Sequence, residues 1–121
     1  MNSSLIAGVV LGASVSWASV GVAQDIGGQY AVAGTNIDGS PYTGEAVISL
    51  TSDTTCQIEW ITGGTSSFGI CMRYDNAFAT GYQQGDAVGL GIYLVMEDGS
   101  LNGTWTVAGQ EGSGTEVLSP L

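Results

Sequence analysis

The 121-residue sequence predicts an all-β domain: an antiparallel meander of seven or eight strands that closes into a small barrel. Three observations predict this fold. Apolar and polar residues alternate in short runs, each run ends at Gly, Asp, Asn or Ser, and no helical period follows the first 23 residues. Closure removes the edge strands, so a barrel is favoured over a β-sandwich, which is the alternative.

The strands follow from the alternation in chain order. They are predicted at 28–33, 42–51, 56–60, 68–73, 77–82, 87–96, 101–108 and 115–118. Turn signals separate them, among them Asp38-Gly39, Gly63-Gly64 and Asp98-Gly99. The run 87–96 (AVGLGIYLVM) is the most apolar of the eight and predicts a buried strand, in which Gly89 and Gly91 mark a bend or a close approach of backbones.

The first 23 residues predict a signal peptide rather than a part of the fold. The run from Leu5 to Val22 has no charge, and the small residues Gly21 and Ala23 suit cleavage after Ala23, or one residue later after Gln24. An uncleaved anchor is the alternative, but Gly and Ser dilute the run and no Lys or Arg flanks it. The n-region carries only the terminal amine, which indicates a true start upstream or a minimal n-region. The domain is then 24–121, periplasmic or secreted.

Charge limits the partners of this domain. All eleven acidic residues and the single basic residue, Arg73, follow the predicted signal peptide, and the net charge of the chain is −10. Such a surface repels nucleic acid and anionic lipid, so we expect neither as a partner, nor stable membrane insertion after cleavage. A hydrated acidic surface explains the charge; attraction to a cationic partner or to divalent ions is the alternative.

Two cysteines predict one disulfide. An even count in an exported chain favours a bridge, and Gly63-Gly64 lies midway between Cys56 and Cys71. A hairpin folded about this pair places the two cysteines directly opposite each other. A longer loop or a bulge would shift that register.

The letters of two segments carry a resemblance. These are the alternation from Tyr42 to Ile48 and the hairpin 98–105 (DGSLNGTW), together with a Trp-bearing third strand. They resemble small exported meander barrels of the calycin and avidin type. The resemblance covers about a dozen residues and implies the fold only. No biotin site aligns with this chain, so it implies no ligand and no binding residues. The chain is also similar to small secreted bacterial proteins of unassigned function.

Missing residue types exclude most catalytic chemistries. The chain has no His and no Lys, so a Ser or Cys nucleophile lacks its usual base. Zinc, copper and haem sites normally use His or free Cys, and we predict no metal and no cofactor. Paired carboxylates remain, and Glu45 and Glu59 lie on neighbouring strands, but both occupy polar faces that are typical of a solvated surface. Turn acids at Asp38, Asp53, Asp75, Asp86, Glu97 and Asp98 form no spaced calcium loop.

Five aromatic residues are the candidate ligand-lining set: Tyr30, Tyr42, Trp60, Tyr93 and Trp105. They fall mostly on predicted inner faces, where they fill a core or line a cup for an apolar or sugar ligand. Arg73 is the candidate anchor for an anionic ligand; the alternative is a salt bridge with Glu59 or Asp75.

The sequence therefore predicts a non-enzymatic exported binding or interaction protein of unknown ligand. The alternative is a small secreted inhibitor of a protease or of a cationic enzyme such as lysozyme, presenting Gly63 to Phe68 or Gly109 to Gly114 as a loop. A hydrolase that uses only carboxylates is the third hypothesis. The sequence does not predict the oligomeric state.

Overall fold

A computed structural model describes residues 25–121, which form an eight-stranded antiparallel β-barrel. The prediction of a closed barrel is confirmed, and the β-sandwich is wrong. The strands are β1 Gly28–Thr35, β2 Pro41–Leu50, β3 Thr55–Thr62, β4 Thr65–Tyr74, β5 Ala77–Gln84, β6 Ala87–Val95, β7 Leu101–Val107 and β8 Gly114–Pro120. The predicted signal peptide lies outside the described residues. Within 25–121 no helix is long and apolar enough to cross a membrane.

Each strand pairs with its neighbours in the chain, and β1 pairs with β8 to close the barrel. The closing register places Val32 opposite Leu118. The connections β1–β2, β3–β4, β5–β6 and β7–β8 meet at one end, which we call the mouth. The other connections and both ends of the described chain meet at the opposite end, which we call the base.

Two hairpins, one at each end of the barrel, use the same Asp-Gly-Ser turn. In the first, the carboxylate of Asp38 accepts hydrogen bonds from the backbone N–H (2.9 Å) and hydroxyl (2.6 Å) of Ser40. In the second, Asp98 accepts the same pair of bonds from Ser100 at the same distances. These bonds lower the pKa of both carboxyls, so both turns stay charged and ordered at neutral pH.

A disulfide joins Cys56 on β3 to Cys71 on β4, as the sequence predicts. Gly63 and Gly64 form the two-residue turn, both with positive φ, and Thr62 pairs with Thr65. The two cysteines are therefore register partners, with their Cα atoms 5.0 Å apart. No bulge shifts the pairing.

The core fills the half of the barrel next to the base. Its most deeply buried side chains are Phe78, Ile58, Leu101 and Leu118. Ile26, which precedes β1, is buried with this cluster, and the hydroxyl of Tyr30 donates to its carbonyl at 2.6 Å. Ile26 and Tyr30 therefore pack into the base end of the barrel core.

The prediction that 87–96 is a buried strand is correct for its inward face only. Inward positions of β6 are buried, including Gly89, Gly91 and Tyr93. The outward positions are more than half exposed, for example Leu90 at 59 % and Ile92 at 58 %. A strand of a single-layer barrel has only one face in the core, however apolar its outer residues are.

Candidate functional site

The mouth opens into a cavity of about 340 Å³ that reaches into the barrel. Its walls carry four partly exposed or buried aromatic rings, from Tyr42, Trp60, Tyr82 and Trp105. Tyr93 and Glu116 lie at its floor and are buried, at 2 % and 5 % exposure. The volume falls within the usual range for small-molecule sites.

Glu116 is the centre of a buried hydrogen-bond network. One carboxylate oxygen, Oε2, accepts from the indole Nε1 of Trp60 at 2.9 Å and from the hydroxyl of Tyr93 at 2.8 Å. The other, Oε1, accepts from the hydroxyl of Tyr42 at 2.6 Å. A carboxylate accepts about four hydrogen bonds, so Oε1 retains room for one more donor.

The aromatic walls are built from two edge-to-face pairs. Tyr42 and Trp105 have ring centroids 6.3 Å apart at an interplanar angle of 69°. Trp60 and Tyr82 are 5.3 Å apart at 62°. Edge-to-face pairs of this kind contribute about 0.5–1.5 kcal/mol beyond the free energy that comes from burying their surface.

Glycines on neighbouring strands make space for the rings. A Cβ at Gly89 would overlap the ring of Tyr82, and one at Gly103 would lie 2.7 Å from the ring of Tyr93. A Cβ at Gly114 would overlap Trp105 in the same way. The close approach that the sequence suggests for Gly89 is therefore one of side chain to backbone.

Three tyrosines are held in the neutral form beside Glu116. Burial, followed by the nearby carboxylate, raises the pKa of Tyr82 to about 12. The same two causes raise the pKa of Tyr42 and of Tyr93 far above the usual value. The phenols of Tyr42 and Tyr93 therefore remain donors to Glu116 at any physiological pH.

Alkaline pH is expected to destabilise the barrel through these tyrosines. Because their folded-state pKa is raised, their stabilisation is complete below about pH 10, where the unfolded chain begins to ionise, and is lost as the pH rises further. We expect the Tm to fall by about 5 °C or more per pH unit above this point. Thermal unfolding followed by circular dichroism measures this slope. Tyr93→Phe should flatten it, and an unchanged slope would contradict the assignment.

The structure brings four of the five predicted lining residues to the mouth, namely Tyr42, Trp60, Tyr93 and Trp105. Tyr30 is not among them. It lies on β1 close to the base, where its hydroxyl is bonded to Ile26 and its ring is in the core. Its inward position was readable from the alternation, but its height along the barrel depends on the tilt and register of β1.

Arg73 also lies near the base rather than in the cavity. Its Nε donates to the backbone carbonyl of Asp75 at 2.7 Å, and its charge acts on Tyr30. None of the residues lining the cavity is basic. The arrangement therefore gives an anionic ligand no cationic anchor in the mouth.

Sequence reasoning missed Glu116 and Tyr82. Both signals were present: Glu116 alternates in phase with the buried Gly114 and Leu118, and Tyr82 with the buried Phe78. An acidic residue at an inward position is rare unless it is hydrogen-bonded. The inward position of an acidic residue in the alternation of β8 is the observation that would have identified Glu116.

The other sequence candidates do not assemble a site. Glu45 and Glu59 are exposed on the outer surface of β2 and β3. Within residues 25–121 no cluster of three or more His, Cys, Asp or Glu is placed to hold a metal ion. The segment Gly63 to Phe68 is not a protruding loop, because β4 begins at Thr65.

The fold and site define the chain as a closed eight-stranded barrel with an aromatic-lined mouth, and designed barrels share this fold. A redesigned β-barrel matches with a TM-score of 0.67 and 19 % identity, covering 79 % of this chain and 91 % of that one. A redesigned barrel, mFAP1, solved bound to DFHBI, matches with a TM-score of 0.67 and 17 % identity over 78 % and 94 % of the two chains. A de novo fluorescence-activating barrel gives 0.64 and 15 % over 78 % and 93 %. No family model and no curated protein matches the chain. The comparisons support the barrel fold that the resemblance to avidins and calycins implies. They do not assign the chain to a family.

Proposed function

We propose that this chain is a non-enzymatic, exported binding protein whose mouth takes a small organic cation with an apolar body. The observation that carries the proposal is the buried carboxylate of Glu116 beneath four aromatic rings. Aromatic faces attract cations, and the attraction grows where water is excluded. A carboxylate in the same cavity supplies the opposite charge.

The contacts of Glu116 narrow the class of cation. The acceptor site left on Oε1 suits a positively charged N–H group, such as a primary ammonium. The rings of Tyr42, Trp60 and Tyr82 then surround the apolar part of the ligand. A ligand with both parts uses the whole cavity, whereas a purely apolar ligand leaves the acceptor site unused.

The charge around the mouth supports the same ligand class. Three of the four connections at this end carry an acidic residue: Asp38, Asp86 and Glu111. With a net charge of −10 on the chain, they raise the local concentration of cations at the cavity entrance.

One further observation supports a binding protein rather than an enzyme, and another supports export. The sequence has neither His nor Lys, and both cysteines are held in the disulfide, so the usual nucleophile and base pairs are not available. A disulfide is typical of oxidising compartments outside the cytoplasm. Mass spectrometry that determines the N-terminal residue of the purified mature protein tests the predicted cleavage after Ala23.

Binding of benzylammonium, compared with benzyl alcohol of the same skeleton, tests the ligand class. We expect the ammonium ion to bind at least about tenfold more tightly than the alcohol. Both can donate a hydrogen bond to the carboxylate, but only the ion adds the charge-assisted bond and the attraction of a cation to the ring faces. Quenching of Trp60 and Trp105 fluorescence measures both affinities. Rising salt should weaken the binding of the ion only.

Glu116→Gln is expected to reduce the ratio of the two affinities severalfold, to the part that the ring faces contribute. Glu59→Gln, which makes the same charge change on the outer surface, should leave it unchanged. Equal binding of the ion and the alcohol to the unmodified protein would overturn the proposal, as would the absence of binding by benzylammonium and by longer alkylammonium ions.

A further inference from the structure

The outer surface of β4, β5 and β6 exposes a continuous apolar face that the ligand site does not use. Eight large side chains form it: Phe68, Ile70, Met72, Tyr74, Val88, Leu90, Ile92 and Leu94. Each is more than half exposed, and Tyr74 reaches 84 %. Together they expose on the order of 1,000 Å², whereas the largest apolar patch on a monomer usually measures about 300–600 Å².

Large and small side chains alternate from strand to strand across this apolar face. The register places Ile70 opposite Gly81, and Gly81 opposite Leu90. One row along, Met72 and Ile92 flank Ala79 in the same way. The large residues of β4 and β6 therefore form two parallel ridges, and the small residues of β5 form a trough between them.

We propose that the apolar face binds the same face of a second copy of this chain. Adjacent strands lie about 4.8 Å apart, so the trough is as wide as one row of large side chains. A two-fold axis that runs parallel to the strands, midway between β4 and β5, places the β4 ridge of each copy in the β5 trough of the other. Such an interface is isologous and closes as a dimer.

The area favours this occupant, and the charge argues against an anionic lipid surface in its place. Covering half of the face on each copy buries about 1,000 Å² in total, where specific interfaces begin. The face itself has no charged residue, whereas Glu59, Asp75, Asp86 and Glu97 lie around it. The acidic rim opposes an anionic lipid surface. It also predicts that dimerisation strengthens as salt screens the two rims from each other.

Sedimentation velocity of the full chain over a range of concentrations and salt tests the proposal. The decisive variant is Gly81→Leu, because a Cβ at Gly81 meets no atom within 4 Å and its φ is ordinary. This change fits the monomer, fills the trough and adds apolar surface. We expect it to weaken the dimer at least about tenfold, as should the double variant Ile70→Thr with Leu90→Thr.

Val117→Thr is the matched control, since Val117 points outward on β8, away from the apolar face. It should leave the dissociation constant within about twofold. Thermal unfolding of each variant establishes that the barrel is intact. Stronger association of Gly81→Leu would show unspecific apolar adhesion and overturn the proposal. A chain that stays monomeric up to about 100 μM would do so too, as would a monomer that binds neutral phosphatidylcholine vesicles through this face.

Discussion

Replacing Glu116 by leucine is expected to destabilise the barrel by about 3–5 kcal/mol, since three buried or partly buried donors lose their acceptor and each costs about 1–3 kcal/mol. These donors are the hydroxyls of Tyr42 and Tyr93 and the indole N–H of Trp60. Tyr42 keeps a weaker acceptor, the Thr115 carbonyl at 3.3 Å, which limits the loss. Urea unfolding followed by tryptophan fluorescence measures the change.

A double-mutant cycle separates the network from a simple effect of shape. Tyr93→Phe removes one of the stranded donors, so its cost should be much smaller in the Glu116→Leu background than in the unmodified chain. Glu45→Gln is the control, as an exposed acid on β2, and should change stability by less than about 0.5 kcal/mol. Additive losses in the cycle would show that Glu116 does not hold Tyr93.

Removing the disulfide is the second large change. The bridge closes a loop with a sequence separation of 15 residues, for which the loss of unfolded-state entropy corresponds to about 3 kcal/mol. Replacing both Cys56 and Cys71 by alanine should lower the free energy of unfolding by at least that amount, because both side chains are also packed in the core. Denaturant titration at fixed pH measures the loss.

Single replacements provide the control for packing. Cys56→Ala and Cys71→Ala each remove the bridge, so each should cost nearly as much as the double variant. Equal stability of the double variant and the unmodified chain would contradict a stabilising bridge. Two free thiols in the purified protein, found by mass spectrometry, would exclude the bridge itself.

Most of the fold could be predicted because short turn sequences fix how each strand pairs with the next one in the chain. The Gly63-Gly64 turn fixes the register of β3 and β4, and with it the pairing of Cys56 and Cys71. The same reasoning located every turn between strands, since Gly, Asp and Asn punctuate the alternation. The closure of the barrel could not be predicted from a turn in this way. No loop joins β1 to β8, so the pairing of Val32 with Leu118 has no local signal.

The site was less predictable because a side chain lines it only if it points inward and also lies at the mouth end of the barrel axis. Alternation shows that Tyr30 and Tyr42 both point inward, but only the assembled register shows that one lies at the base and the other at the mouth. The apolar run 87–96 misled for a related reason. Its outward residues are apolar without being buried, so its hydrophobicity indicated more burial than the outer face of the strand has.

The pairing of the first strand with the last also sets when the protein can fold. Until Gly114–Pro120 has been synthesised, β1 and β7 present unpaired edges, and Tyr93 and Trp60 have no acceptor. A ribosome-bound or truncated chain therefore stays open and recognisable to chaperones and proteases. Because the last strand closes the sheet against the first, the barrel is complete only when the whole of the described domain has been made.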